Sequence, residues 1–211
     1  ENNSRILAIS LATLGGSLVP CKKDGTSSYP IITWMDNRAT DLVQEWRAAG
    51  ICDQVKKISG WMPEPGLPLS MIGWLERNNA AAFHSTDYFL SVNDFLTFRL
   101  AGQFVMNPSM AGEMLLTDIS TGKWDEDMCQ LVGIRSDQLS PIQPSDAVIG
   151  PITQETCRQT GLAQGTVLIN GGQDHSCEAL AVGMITKGKA MLACGTAWVI
   201  NSVIEDLAAD S

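Results

Sequence analysis

The residues best suited to chemistry lie in one run, Val167-Leu168-Ile169-Asn170-Gly171-Gly172-Gln173-Asp174-His175. It reads as a buried strand over Val167 to Ile169 and a glycine turn over Gly171 to Gln173. An acid then opens a small-residue helix over Asp174 to Val182, ended by Gly183. In open α/β sheets, ligands sit beyond the carboxyl ends of strands, so a carboxylate there projects into a crevice. Two glycines let backbone approach a ligand without Cβ clashes. The same spacing suits a helix N-cap whose carboxylate takes the N–H groups of the first turn. A helix N-terminus also keeps an acid ionised, as a proton acceptor requires. The two readings are compatible, and only geometry separates them.

A second candidate is Trp34-Met35-Asp36-Asn37-Arg38. An aromatic face can pack on the C–H face of a sugar, and a carboxylate can accept hydroxyl hydrogen bonds; the plain alternative is a buried Trp with Asp36 capping the next helix. A third is the turn Gly195-Thr196 between two strands, which can offer a backbone N–H and a hydroxyl to phosphate. Asp24-Gly25-Thr26-Ser27 looks like a fragment of a phosphate loop but reads as a solvated hairpin by its Asp-Gly turn chemistry. No metal site is expected: His175, Cys177 and Glu178 are helix neighbours read as pointing different ways, and His84 stands alone at a helix end.

The elements that would position these residues follow α/β order. Strands are expected over Arg5 to Leu11, Ser17 to Val19 and Ile31 to Met35, the last in a central, buried position. A helix carries Ala39, Leu42, Val43, Trp46 and Ala49 on one face and stops at Gly50. A stiff Pro/Gly loop over residues 60–68 leads to a helix from Ser70, its expected cap, to Asn79. Tyr88 to Leu90 is a strand, Val92 to Leu100 a helix ended by Gly102, and Asp125 to Val132 a helix ended by Gly133. Residues 136–151 read as a long surface loop or linker. Thr153 to Thr160 is a short helix, and strands at Lys189 to Ala193 and Trp198 to Val203 flank the Gly195-Thr196 turn.

The 211 residues suit one domain, or one domain with a piece of another, and 45% hydrophobic content supports a sizeable core. A net charge of -9 disfavours nonspecific binding to nucleic acid or to an anionic membrane. No apolar run approaches a membrane span, and no signal segment opens the chain. The six cysteines are scattered, as in a cytoplasmic protein with reduced thiols. The abrupt start on a strand suggests a truncated chain.

The order of the segments resembles the FGGY carbohydrate kinases. Thr33-Trp34-Met35-Asp36-Asn37-Arg38 is similar to that family's Trp-x-Asp-x-Arg segment, and Pro65-Gly66-Leu67-Pro68 through Trp74-Leu75 to its next loop and helix. Asn93-Asp94-Phe95-Leu96 to Arg99-Leu100-Ala101-Gly102 resembles its Lys-Asp-Tyr-Leu…Arg-Leu-Thr-Gly run, with Asn93 for Lys and Phe95 for Tyr. Asn170-Gly171-Gly172-Gln173-Asp174 with Ala179 to Gly183 resembles its Gly-Gly-x-Asp helix, and Gly188-Lys189-Ala190 to Gly195-Thr196 the strand and phosphate turn that open its second domain. The resemblance implies an α/β, ribonuclease H-like (actin-like ATPase) domain, truncated, with a mixed sheet and flanking helices. Residues 1–185 would be the sugar-binding domain, lacking its first phosphate-loop strands, and 186–211 the start of the nucleotide-binding domain.

It further implies ATP-dependent phosphorylation of a sugar or polyol hydroxyl by the full-length parent. Asp174 would be the general base. Trp34, Asp36, Gly15, Gly16 and His175 would lie at the sugar, and Gly195 and Thr196 at phosphate. ATP and Mg²⁺ would be bound mainly by parts absent from this chain, which alone would be nearly inactive. Where xylulose kinases carry Gln-Met-His after the first strand, this chain has Leu14-Gly15-Gly16, without the side chains that would touch sugar there. The expected partner is a small-molecule sugar or polyol, with a homodimer allowed. The rival expectation is a non-catalytic actin-like module that holds a ligand; a hydrolase built on Asp174-His175 lacks a nucleophile elbow and an orienting third residue.

Overall fold

The structure, a computed structural model, describes residues 5–204. Its central sheet is mixed and has three strands, in the order β1 (Ala8–Thr13), β7 (Val167–Gln173), β6 (Val148–Pro151). β1 runs parallel to β7, and β6 antiparallel to it. Three two-stranded ribbons accompany it. They are β2 (Val19–Cys21) with β3 (Tyr88–Leu90), β4 (Thr117–Asp118) with β5 (Lys123–Trp124), and β8 (Ala190–Cys194) with β9 (Trp198–Ser202).

The helices are α1 (Thr40–Ala48), α2 (Ile51–Ser59), α3 (Pro68–Asn78), α4 (Ala80–His84), α5 (Val92–Ala101), α6 (Pro108–Glu113), α7 (Glu126–Leu131), α8 (Gln154–Thr160) and α9 (Asp174–Ala181). The main core lies among helices, around Leu69, Met71, Ile72, Leu75, Phe89, Met110 and Leu115. A smaller core of Val105, Ile149, Ile152 and Leu168 lies under the sheet. Removing this much apolar surface from water is the main driving force for the fold.

Several expectations need correction. Ile31 to Met35 is not a central strand. A single antiparallel bridge joins Leu18 to Ile32, and only Ile32 of the pair Ile31-Ile32 is buried. The apolar run is real, but no neighbouring strand continues the ladder. Ser70 does not cap α3. The helix starts at Pro68, whose fixed φ and missing N–H suit the first helical position, and Ser70 is buried inside it. Gly50, at φ 74, does end α1, but α2 follows at once. Residues 136–151 are no simple linker, because they supply the edge strand β6. Their prolines and polar residues hide a strand that needs pairing on one side only. The glycine turn at Gly171 to Gln173 is instead the continuation of β7. The Asp24-Gly25 hairpin is as expected: Asp24 accepts from the Thr26 N–H and hydroxyl, and Gly25 sits at φ 83.

Candidate active site

Register decides where Asp174 stands. Thr13 at the end of β1 lies opposite Gln173 at the end of β7, and the strands are parallel. Leu14-Gly15-Gly16 and Asp174-His175 therefore leave the sheet together at its carboxyl edge, where α/β sheets place ligands. Gly171 makes this close pairing feasible. It has φ 81, and a Cβ there would lie 1.9 Å from the Leu11 carbonyl oxygen. The register slips between Ser10 and Ala12 beside it.

Asp174 is not the cap of α9 but its first residue. Gln173 is the cap: its side-chain oxygen accepts from the Ser176 N–H at 2.9 Å. The Gln173 side-chain amide donates to Asp174 Oδ1 at 2.6 Å, and the His175 N–H donates to the same oxygen at 2.8 Å. Both bonds fall on one oxygen, so the carboxylate is oriented, and no described residue donates to Oδ2. The strand beneath is braced from α6. Ser109 Oγ accepts from the Gln173 N–H at 3.0 Å and donates to Asn107 Oδ1 at 2.7 Å. Asn170 adds a second brace, its Nδ2 donating to the carbonyls of Met106, Gln143 and Pro144.

His175 does not point away from Glu178, as the sequence suggested. Its Nδ1 lies 3.0 Å from Glu178 Oε2, as residues three apart on a helix can. Cys177 takes the other side: a Cβ on Gly172 would meet its sulfur at 3.1 Å.

Glu113, at the end of α6, is the residue that sequence reasoning passed over. Its carboxylate occupies the space over Gly15, where a Cβ would lie 1.4 Å from Oε2. That oxygen is buried and has no hydrogen-bond partner. Burial pushes the Glu113 carboxyl up to about 7; the Gly16 backbone N–H opposes the shift, Asp174 adds to it, and His175 opposes it. Glu113 thus lies within electrostatic reach of the Asp174-His175 pair. The signal in the sequence was a lone acid inside the apolar run Met110 to Leu116.

Gly16 brings in the Trp34 loop. It has φ 61, and its Cβ would lie 3.0 Å from that of Trp34. A Cβ on Gly66 would lie 2.1 Å from the Trp34 carbonyl oxygen, so glycine on both sides lets this backbone close in. Trp34 is not buried; it is 38% exposed. Asp36 does not cap α1, which follows Ala39. It binds Arg38 instead, with Oδ1 accepting from the Arg38 N–H and Nε at 2.9 Å and Oδ2 from NH2 at 2.7 Å. The Arg38 hydrogen bonds hold the Asp36 carboxyl below its ordinary range. Arg38 in turn lies 4.8 Å over the Trp74 ring.

Gly15, Gly16, Trp34, Asp174 and His175 thus belong to one neighbourhood, reached by Glu113. Gly195 and Thr196 sit apart, in the exposed turn of β8–β9, where the Gly195 N–H makes only a 3.3 Å contact to the Ala197 carbonyl. A Cβ on Gly195 would meet nothing closer than 3.8 Å, so the turn is sterically open. Between α9 and β9 lies an open pocket of about 280 Å³, lined by Ser176, Met184 and Asn201 among others but not by Asp174. Among the described residues no group of three or more His, Cys, Asp or Glu is placed to hold a metal ion, and no helix is long and apolar enough to cross a membrane.

Comparison with known proteins agrees with this architecture. An autoinducer-2 kinase from Salmonella choleraesuis is 31% identical over 204 residues, covering 93% of this chain and 38% of that protein. A xylulose kinase from Bacillus subtilis is 29% identical, covering 83% of this chain and 35% of that one. The crystal structure of gluconate kinase from Lactobacillus acidophilus superposes with a TM-score of 0.92 at 26% identity, over 96% of this chain and 41% of that one. The chain therefore spans well under half the length of these relatives, and it shares their actin-like α/β fold. The model of the N-terminal domain of the FGGY family of carbohydrate kinases matches residues 2–181, and the chain belongs to that family.

Proposed function

We propose that the full-length protein containing this chain phosphorylates a hydroxyl of a sugar or polyol, with Asp174 as the general base. The observation that carries this reading is the Asp174 carboxylate itself. One oxygen is fixed by Gln173 and the His175 N–H, at the carboxyl edge of two parallel strands, beside Gly15, Gly16 and Trp34. ATP with Mg²⁺ supplies the phosphoryl group and is held mainly by parts outside this chain; Gly195 and Thr196 are the contacts that residues 186–211 would offer it. Residues 205–211 of that proposed second unit, and residues 1–4 of the first, lie outside the described residues.

Asp174 takes the proton as the hydroxyl oxygen bonds to phosphorus and the nucleoside diphosphate leaves. Such transfers depend chiefly on positioning and charge stabilisation, which explains why so much of the local sequence serves to brace one carboxylate. Trp34 offers a face for the sugar's C–H surface, and His175 a further polar contact. Asp36 acts through Arg38, which both of its oxygens engage. The scattered, free cysteines suit a cytoplasmic setting.

Asp174→Asn in the full-length protein should lower turnover by about 10²–10⁴-fold while acceptor binding survives. Unchanged turnover would remove Asp174 from the chemistry and favour a module that only holds a ligand. The 211-residue chain alone should show almost no sugar-dependent ATP turnover.

A further inference from the structure

Glu113 Oε2 is a buried carboxylate oxygen without a partner. Buried polar atoms are nearly always hydrogen-bonded, and an orphan calls for an explanation. The position of this one supplies it. The carboxylate lies over Gly15, two residues past the end of β1, and α6, which carries it, packs on β7 and fixes the backbone of Gln173. Two residues later Leu115, fully buried, is held at φ 59, the only positive φ among the described non-glycine residues. A left-handed leucine is strained, and it persists because the surrounding packing dictates it. The end of α6 is therefore pinned, with its acid over Gly15 and within electrostatic reach of Asp174.

The charge around it is also defined. Among the described residues, the charged side chains acting on Glu113 are Asp174 and His175, with no lysine or arginine. His175 is engaged by Glu178, and the Arg38 guanidinium of the Trp34 loop is engaged by Asp36. Among the described residues, neither of these basic groups is left to receive a carboxylate. We propose that Glu113 selects the acceptor, its carboxylate turning off Gly15 so that the free oxygen receives a hydroxyl of a neutral polyol or ketose and its charge rejects a sugar acid. This rests on the phosphotransfer reading above and narrows it to neutral acceptors.

The test uses the full-length protein, with glycerol and D-xylulose as neutral probes and D-gluconate as the anionic one. At pH 8, where the Glu113 carboxyl is mostly ionised, the wild type should favour a neutral probe over D-gluconate by about 100-fold in kcat/KM, since opposed like charges are strongly disfavoured at a recognition site. Glu113→Gln keeps the shape but loses the charge. It should raise KM for the neutral probe about tenfold, leave kcat within about twofold, and reduce discrimination against D-gluconate about tenfold. Gly15→Ala should act through the same group, because its Cβ displaces the carboxylate; in a Glu113→Ala background it should have no further effect on KM.

Preference of the wild type for D-gluconate overturns the proposal. So do unchanged KM values in Glu113→Gln, or additive losses in the double variant. If no probe is turned over at all, phosphotransfer to these acceptors has failed, and Glu113 is judged on binding alone. A rise in unfolding temperature with glycerol or D-xylulose that disappears in Glu113→Gln then upholds its role, and no rise with either probe ends it.

Discussion

Asp94 and Glu113 are both carboxylic acids held away from water, and burial raises both: Asp94 to about 6, Glu113 to about 7. What surrounds them differs. Asp94 is fully buried at the start of α5, and both of its oxygens are satisfied. Oδ1 accepts from the Ser91 N–H and hydroxyl, and Oδ2 from the Ser140 hydroxyl, each at 2.6 Å. It ties α5 to the segment that leads into β6. Glu113 lies at the crevice with one oxygen orphaned. The first acid closes a circuit inside the protein; the second leaves one of its oxygens unfilled. Burial alone therefore does not mark a functional acid. The unfilled hydrogen bond is what separates these two.

The largest effect that would test this contrast is on stability. Asp94→Ala should cost about 2–4 kcal/mol, because it strands the Ser91 N–H and the Ser140 hydroxyl in the interior. Urea unfolding of the full-length protein would measure this, and a loss below about 0.5 kcal/mol, the usual scatter of surface changes, would dissolve the contrast. Next in size is the response at Glu113. Glu113→Gln removes no filled bond at Oε2, so its unfolding midpoint should stay within about 1 kcal/mol of wild type or rise. A large destabilisation there would make Glu113 a structural acid like Asp94.

The finest discrimination between the two comes from pH dependence. Both acids have folded values above their unfolded ones, so the native state holds the extra proton and stability falls as pH rises between the two values. For Asp94 that window runs from 3.8 to about 6, and for Glu113 from 4.5 to about 7. The stability of Glu113→Gln relative to wild type should thus grow as pH rises toward about 7 and level off above it, with Asp174 and His175 the charged groups facing the site. Asp94→Asn should lose its pH-dependent contribution in the lower window. Unfolding series at several pH values would separate the two.

Much of this was legible in the sequence where local chemistry was strong. Gly50, Gly102, Gly133 and Gly161 end helices with positive φ, as their positions implied. The β8–β9 hairpin and β3 lie where the apolar pattern put them. Failures came where partners are distant. Ile31 to Met35 has the composition of a strand but no companion beyond one bridge. Gly171 to Gln173 has the composition of a turn, yet pairing with β1 keeps it extended. α6 is six residues with Gly and Ser, too weak to read locally; Asn107 caps it by accepting from the Met110 N–H. The run from Gly171 to His175 announced Asp174, but its setting with Glu113 depends on two segments far apart in sequence meeting at Gly15.

That meeting also constrains how the site can change over generations. The acid over Gly15 comes from α6, not from the strand that ends at Thr13. A substitution at residue 113 alters one side chain and leaves the β1–β7 register untouched. A side chain at residue 15 has no such freedom, since its first carbon would collide with the acid already there. The two positions are therefore coupled: growth at residue 15 displaces the acid at residue 113, and a shorter residue 113 removes that cost.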